Sequence, residues 1–288
     1  MPFGGQNYIF FLYFVAFFTQ LLTQKGFSRF FFAYFAPLFI FFRPIDSFYM
    51  DYFLVFIIIF AAVFIGSSFG FGDAMVAMPL LTLFLGLAIC APLVNLVACV
   101  SSFIVCSQSW REARLSAVIH LLIAALVAAP LGVYLPFLIS EQVLKIILAI
   151  FILSFAIYSL LFAHYPLPKL KNILWAYLFG ILSGLFGGAY NISGPPVVIY
   201  GLFQQWSAVA FRASLQLFFL ILSVIIFITR LWQNVYPEEL FNYFLICLPA
   251  IFTAVGLGNL LNKKIAKPEV FKPLLNSLLI LLSIALLL

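Results

Sequence analysis

Long apolar runs are the feature that most constrains this chain. Phe53–Phe64 is apolar throughout, and Leu278–Leu288 carries no charge. Membrane β-barrel strands alternate apolar and polar residues, so these runs predict spanning helices. Only 8% of the residues are charged and 66% are hydrophobic, against about 25% and 45–50% in soluble domains. The sequence therefore predicts an all-α polytopic membrane protein.

Ten apolar segments follow residue 50, and a full membrane crossing takes about 20 residues. The segment at 195–204 is too short to cross and is predicted to be a half-helix. The predicted segments are 52–70, 74–89, 92–109, 117–138, 144–163, 173–189, 195–204, 208–231, 240–261 and 270–288.

The first 49 residues differ from the rest of the chain. They are rich in phenylalanine and contain two short apolar runs, Tyr8–Leu22 and Phe30–Phe42. Two interpretations remain open: an additional membrane-associated element, or a start assigned too far upstream, with Met50 as the true first residue.

An internal repeat divides the remainder into residues 50–163 and 173–288, joined by a loop at 164–172. Phe69-Gly70 followed by Pro79 recurs as Phe186-Gly187 followed by Pro196, at a constant offset of 117. In both halves the order is a long span, a glycine break, a proline, a short segment and three longer spans. The sequence therefore predicts two homologous halves with short broken helices at the glycine-proline motifs.

The loop charges predict that these halves are inverted. Cytoplasmic loops collect Lys and Arg. If every short segment crosses, only Lys145 and Arg230 lie on one face. The other face then receives Arg111, Arg114, Lys169, Lys171, Lys263, Lys264, Lys267 and Lys272. Inverted repeats with broken helices are typical of secondary transporters, which bind substrate near the membrane midplane.

The stretch from Gly187 to Pro196 predicts a helix break followed by a helix N-terminus. Gly187 and Gly188 are expected to end the first helix, since glycine readily adopts left-handed angles. Ser193 or Gly194 is expected to cap the next helix, with Pro195 at its first position. Free amides and the positive helix end favour an anion. The alternative is a simple packing kink.

The first-half counterpart contains Gly70, Gly72 and Asp73. A carboxylate within a membrane is costly and is usually paired, protonated or functional. Because it repels an anion, Asp73 is predicted to carry a proton or to partner a cation. The alternative is a helix N-cap.

Arg212 and Gln216 are one turn apart in an apolar segment, so they share a helix face. A guanidinium matches the geometry of oxyanions, although an interface anchor is an equal alternative. In the first half, Asn95 occupies the position that matches Arg212. The candidate substrate-binding residues are Gly70, Gly72, Asn95, Gly187, Gly188, Asn191, Ser193, Gly194, Pro195, Arg212 and Gln216.

The sequence contains no P-loop, zinc motif or nucleophile elbow. With two histidines and only eight acidic residues, a metal or hydrolytic site is hard to assemble. We therefore expect no enzyme activity, no cofactor, no metal and no ATP-driven transport by this chain alone. The expected partners are a small anion and the lipid bilayer, not nucleic acid; a homo-oligomer is left open.

Three stretches resemble the sulfite exporter TauE/SafE family. They are Gly70–Ala74 with Met78–Leu81, Gly184–Gly188 with Ser193–Pro196, and Phe211–Gln216. The likeness covers about residues 50–288. Many members of the family carry a glycine where this chain has Asp73.

The resemblance implies a multi-pass transporter of sulfite, sulfonates or related small organosulfur anions in a bacterial-type plasma membrane. We add that Asp73 would couple the movement to protons. Two alternatives remain: a transporter of a cation or neutral solute that uses Asp73 as ligand, or a membrane scaffold with no transport cycle.

Overall fold

A computed structural model describes residues 47–113, 115–162, 170, 172–204, 208–234, 236–264, 280 and 284. These residues form nine α-helices and one 3₁₀ turn, with no strand among them. The helices are α1 (Ser47–Phe69), α2 (Asp73–Thr82), α3 (Leu87–Ser109), α4 (Leu115–Leu138), α5 (Glu141–Phe162), α6 (Leu174–Tyr190), α7 (Gly194–Phe203), α8 (Ala208–Trp232) and α9 (Glu238–Lys264).

The chain divides into two compact units, Met1–Phe53 and Leu54–Leu288. The candidate site lies within the second unit. The two apolar runs predicted before residue 47 lie outside the described residues. So does most of the helix predicted at 270–288, of which only Ile280 and Ile284 are described, both as helical.

The prediction of an all-helical, multi-pass membrane protein is confirmed. Among the described residues, five helices are long and apolar enough to cross a membrane: α1, α3, α4, α8 and α9. Three apolar stretches are shorter: Asp73–Thr82 in α2, Lys145–Tyr158 in α5 and Leu174–Tyr190 in α6. At a rise of 1.5 Å per residue, a ten-residue helix such as α2 spans about 15 Å, half of a hydrocarbon core.

The short helix after the first break has ten residues, whereas the predicted segment at 74–89 has sixteen. The segment expected at 74–89 ends at Thr82, and α3 begins at Leu87 rather than at Pro92. A turn separates the helices, with the amide of Leu85 bonded to the carbonyl of Leu81 over 2.7 Å. Pro92 is accommodated inside α3, so it does not mark the boundary. Both halves thus contain a ten-residue helix directly after a break.

Helix α8 is central to the assembly, because it contacts α3, α4, α6 and α7. Helices α4 and α6 pack with their backbones in contact. Gly180, Gly184 and Gly188, four residues apart on α6, face the main chain of α4 at Leu121, Ala125 and Ala129. Small residues at this spacing permit close helix approach in membranes. The glycines of the second motif therefore have a packing role that their sequence alone does not reveal.

Candidate functional site

The first break lies between α1 and α2. Gly70 and Gly72 have φ angles of 85° and 107°, which an L side chain rarely adopts. The amide of Gly70 bonds to the carbonyl of Gly66 over 2.7 Å and closes α1, and Gly72 is the N-cap of α2. Glycine thus supplies the left-handed backbone at this break, the role that the sequence analysis gave to Gly187 and Gly188 at the other.

The second break lies between α6 and α7, and here the prediction was wrong. Gly187 and Gly188 stay helical, and α6 continues to Tyr190. Asn191 takes the left-handed conformation with a φ of 58°, and its amide bonds to the carbonyl of Gly187 over 2.8 Å. Asparagine tolerates this conformation because of its short polar side chain. The helix does not stop at Gly188 because that residue packs against α4.

This extra turn changes the alignment of the two halves from the predicted offset of 117 to 121. At the new offset the left-handed Gly70 matches the left-handed Asn191, and the capping carbonyls of Gly66 and Gly187 match as well. Helices α2 and α7 have the same length, and at this offset they begin and end at corresponding positions. The prolines do not correspond, since Pro79 is the seventh residue of α2 and Pro196 the third of α7.

A cavity lies between the two breaks. It is lined by two break segments, 72–75 and 191–194, together with Ala98, Ser102, Phe219, Leu222, Ser223 and Ile226. Four pairs of these residues match at the offset of 121: Gly72 with Ser193, Asp73 with Gly194, Ala98 with Phe219, and Ser102 with Ser223. The free volume is about 30 Å³, room for about two water molecules. Both halves therefore contribute corresponding surfaces to one small chamber, whose wall contains both polar and apolar side chains.

The N-termini of α2 and α7 both reach this cavity. The positive end of a helix dipole amounts to about half an elementary charge. The N-terminus of α7 offers an anion fewer backbone N–H donors than predicted, because Pro195 and Pro196 carry no N–H. Gly194 and Ser193 are the cavity-lining residues there that have an amide. In α2, the amide of Ala74 already donates to Asp73 Oδ1 over 2.8 Å.

Asp73 contributes the acidic side chain of the cavity wall. It is the first residue of α2. The N-cap alternative for Asp73 holds in part: the N-cap position belongs to Gly72, but Asp73 accepts from the amide that follows it, as an N-cap side chain would. Its Cβ packs against Gly66, where an added methyl group would approach to 2.7 Å. Asp73 is half-buried and borders the chamber at the first-half break.

Each half also supplies an amide side chain that holds the break of the other half. Asn95 on α3 donates through Nδ2 to Oδ1 of Asn191 over 3.1 Å and to the carbonyl of Ser223 over 3.1 Å. Gln216 on α8 donates through Nε2 to the carbonyl of Gly70 over 2.9 Å. Asn95 and Gln216 correspond at the offset of 121. Neither lines the cavity, but each fixes a residue at its edge.

Arg212 is not among the cavity-lining residues. Its Nη2 donates to the carbonyl of Ser67 over 2.6 Å and to Oδ1 of Asn259 over 2.7 Å. Asn259 in turn donates to Gln108 over 2.7 Å. The guanidinium thus lies between α1 and α9, where its side chain also packs against Gly70. Arg212 therefore stabilises the first break from outside the cavity, through Ser67 and Gly70.

Arg230 was missed as a site residue, because it was counted among the loop charges. It is only 3% exposed. Nη1 donates to the carbonyl of Ala91 over 2.5 Å, and Nη2 donates to the carbonyl of Gly188 over 2.6 Å. A signal was present in the sequence: Arg230 follows Leu222 and Ile226 at four-residue steps and thus shares the helix face that borders the cavity.

The structure brings part of the predicted set together. Gly72, Asp73, Asn191, Ser193 and Gly194 line one cavity. The remaining predicted residues support it from outside the lining; they are Gly70, Asn95, Gly187, Gly188, Pro195, Arg212 and Gln216. Among the described residues, no group of three or more His, Cys, Asp or Glu side chains is placed to hold a metal ion.

Comparison with known protein families gives a match that covers most of the chain. No curated protein and no solved structure matches the sequence. The profile of the family described as "Sulfite exporter TauE/SafE" matches residues 55–286. The chain therefore belongs to the TauE/SafE family of membrane transporters.

Proposed function

We propose that this protein is a secondary transporter of small sulfur-containing oxyanions, such as sulfite or organosulfonates, in the plasma membrane. The observation that carries the proposal is the single cavity between the two helix breaks, lined by the N-termini of both α2 and α7. Helix N-termini that point into a polar chamber favour an anion. In this proposal the anion binds between Ser193–Gly194 and the first-half break.

The charges around the cavity support proton coupling. Two helix N-termini supply together about one positive charge, and an ionised Asp73 cancels about as much. A singly charged anion is therefore favoured only when Asp73 holds a proton. We infer that the anion and the proton bind together, and that anion binding becomes tighter as the pH falls.

The size of the cavity supports a transport cycle rather than static binding. Its free volume of about 30 Å³ admits about two waters, and a sulfite ion is larger. The break segments must therefore move apart to admit the anion. Rocking of one half against the other would open the cavity to each side in turn, as in transporters built from inverted repeats.

The test is flux in liposomes that contain the purified full-length chain. Methanesulfonate is the preferred probe, because it keeps a single charge between pH 5 and 8, whereas sulfite changes its own charge in this range. We expect saturable methanesulfonate and sulfite uptake that is accelerated by an inward proton gradient. Equal flux in protein-free liposomes would contradict the proposal.

One observation favours a second candidate, a transporter of a cation or neutral solute. Asp73 is the charged side chain in the cavity lining, whereas Arg212 and Arg230 lie outside it. The variant Asp73→Asn separates the candidates. If Asp73 carries the coupled proton, methanesulfonate exchange persists in this variant and loses its dependence on pH. If Asp73 is itself the ligand of a cation, binding of that cation is lost and no anion flux is seen in either protein.

The scaffold alternative has less support. A protein without a transport cycle is expected to have a dry, tightly packed interior at the breaks. Instead, the hydroxyls of Ser102, Ser193 and Ser223 and the carboxylate of Asp73 belong to residues that border an open chamber. Buried polar groups of this kind inside a membrane are costly unless they serve a function.

A further inference from the structure

Arg230 is a buried cation whose contacts are with backbone carbonyls. It is 3% exposed, and its two terminal nitrogens donate to the carbonyls of Ala91 and Gly188. No acidic side chain among the described residues forms an ion pair with it. A charge at this depth in a membrane protein is expensive and marks a functional position. The contact with Gly188 indicates what that function is.

Gly188 lies in the last turn of α6, three residues before the left-handed Asn191. Carbonyls in a last turn have no intrahelical partner and form the negative end of the helix dipole. The neighbouring carbonyls of Gly187 and Phe186 accept the amides of Asn191 and Ile192 over 2.8 and 3.3 Å. The carbonyl of Gly188 accepts Arg230 instead. The guanidinium thus supplies positive charge where α6 ends beside the cavity.

The first break has the same arrangement. The carbonyl of Ser67, also three residues before the left-handed residue, accepts Nη2 of Arg212 over 2.6 Å. Ser67 and Gly188 correspond at the offset of 121, and both arginines belong to α8. Because the contact recurs at the corresponding carbonyl of each half, it belongs to the construction of the breaks.

We propose that Arg230 is a positioning residue that makes the cavity selective for anions. At the second break the negative end of α6 meets the positive end of α7, so the two helix ends oppose each other's effect on a bound ion. The charge of Arg230 offsets the negative end of α6. Through its hydrogen bond to Gly188, Arg230 also fixes Asn191, three residues further along the chain, in the cavity wall. It acts without touching the anion. This inference rests on the proposed function.

The test compares anion affinity in four variants of the full-length protein. We would measure methanesulfonate binding by calorimetry for Arg230→Lys, Arg230→Gln, Asn191→Ala and the double variant Arg230→Lys/Asn191→Ala. Arg111→Gln, an exposed arginine, is the matched control. We expect a loss of about tenfold or more for Arg230→Gln and a smaller loss for Arg230→Lys, which keeps the charge. Equal losses for Lys and Gln would point to packing and overturn the proposal.

The double variant separates positioning from an independent effect. Residues that act through one another are not additive. In the Asn191→Ala background, Arg230→Lys should change the affinity by less than about twofold. If the two losses multiply in full, Arg230 does not act through Asn191, and the proposal is wrong.

A readout without ligand keeps this inference apart from the proposed function. Hydrogen exchange of the Asn191 and Ile192 amides reports on the end of α6 directly, and we expect Arg230→Lys to accelerate it about tenfold or more. If exchange is faster in Arg230→Lys but the wild-type protein binds no methanesulfonate, the proposed anion transport is contradicted and the positioning role stands. If exchange in Arg230→Lys is unchanged, the positioning role is wrong, whether or not the anion binds.

Discussion

The side chain of Asn95 donates to the side-chain oxygen of Asn191 over 3.1 Å, and Asn191 donates in return to the carbonyl of Val94 over 3.3 Å. These residues belong to different halves and are 0% and 7% exposed. The corresponding contact joins Gln216 to Gly70. Contacts that exchange roles in this way are typical of two-fold related surfaces. Such contacts are expected for parallel as well as for inverted halves, so the predicted inversion stays a prediction, which topology mapping of the loops would test.

Replacement of Asn95 by alanine is predicted to leave the Asn191 side chain partly unpaired in a buried position. An unsatisfied buried polar group costs about 1–3 kcal/mol. We expect Asn95→Ala to lower the free energy of unfolding by this amount and to weaken methanesulfonate binding, because Asn191 lines the cavity. Thermal unfolding in detergent and calorimetry measure the two effects. Ser107→Ala, which removes an exposed hydroxyl, should change stability by less than about 0.5 kcal/mol. Equal effects of both variants would argue against the role of the pair.

Replacement of Gly70 by alanine is predicted to strain the first break. The φ angle of 85° is unfavourable for alanine, and the added methyl group would lie 2.8 Å from Cγ of Arg212. Strain at such a backbone position costs about 1–3 kcal/mol. Gly256→Ala is the control, because its methyl group meets nothing within 4 Å. In a helix interior that change should be neutral or stabilise by up to about 1 kcal/mol. A Gly70→Ala protein as stable as Gly256→Ala would show that the left-handed turn is not required.

Replacement of Gly184 by alanine is predicted to separate α4 from α6. The new methyl group would lie 2.9 Å from Cα of Ala125 and 2.9 Å from Cβ of Ala128. Overpacking of this kind costs about 1–3 kcal/mol. We expect a lower unfolding temperature and reduced flux, since α6 carries the second break. Unfolding followed in detergent alongside the Gly256→Ala control tests this, and unchanged stability would mean that the two helices adjust freely.

Much of the fold could be predicted from the sequence, because the membrane imposes a simple rule. Uncharged runs must be helical, and the positions of the helices follow from them. The two breaks were also located, since glycine and proline interrupt those runs. The exact turn was predicted wrongly at Gly187 and Gly188, and left-handed glycine is found at Gly70 and Gly72 of the other break.

The remaining features of the site depend on helix–helix packing, which no local sequence pattern predicts. The second break lies one turn late because Gly188 is in contact with α4, so Asn191 takes the left-handed conformation. Arg230 looked like a loop charge because it is near the end of an apolar segment, and its burial depends on carbonyls from two distant helices. Ser102 and Ser223 line the cavity because the helix faces of α3 and α8 that carry them are turned towards the breaks.

Replacement of Arg212 by glutamine is predicted to slow transport strongly, although Arg212 does not line the cavity. Its guanidinium holds Ser67 and Asn259 together and packs on Gly70, so its loss frees the first break on the side of Asp73. We expect the flux of methanesulfonate to fall about tenfold or more. Arg212→Lys should restore little of it, because a single ammonium does not reproduce the planar donor geometry of a guanidinium.

Arg111→Gln should retain full flux, since Arg111 is an exposed residue of the 3₁₀ turn. Flux must be compared at equal amounts of folded protein, measured by size-exclusion chromatography before reconstitution, because the lost hydrogen bonds also cost about 1–3 kcal/mol of stability. Wild-type flux from a folded Arg212→Gln protein would remove this arginine from the transport mechanism. It would also show that Gln216, which holds Gly70 from the same helix, is sufficient to fix the first break.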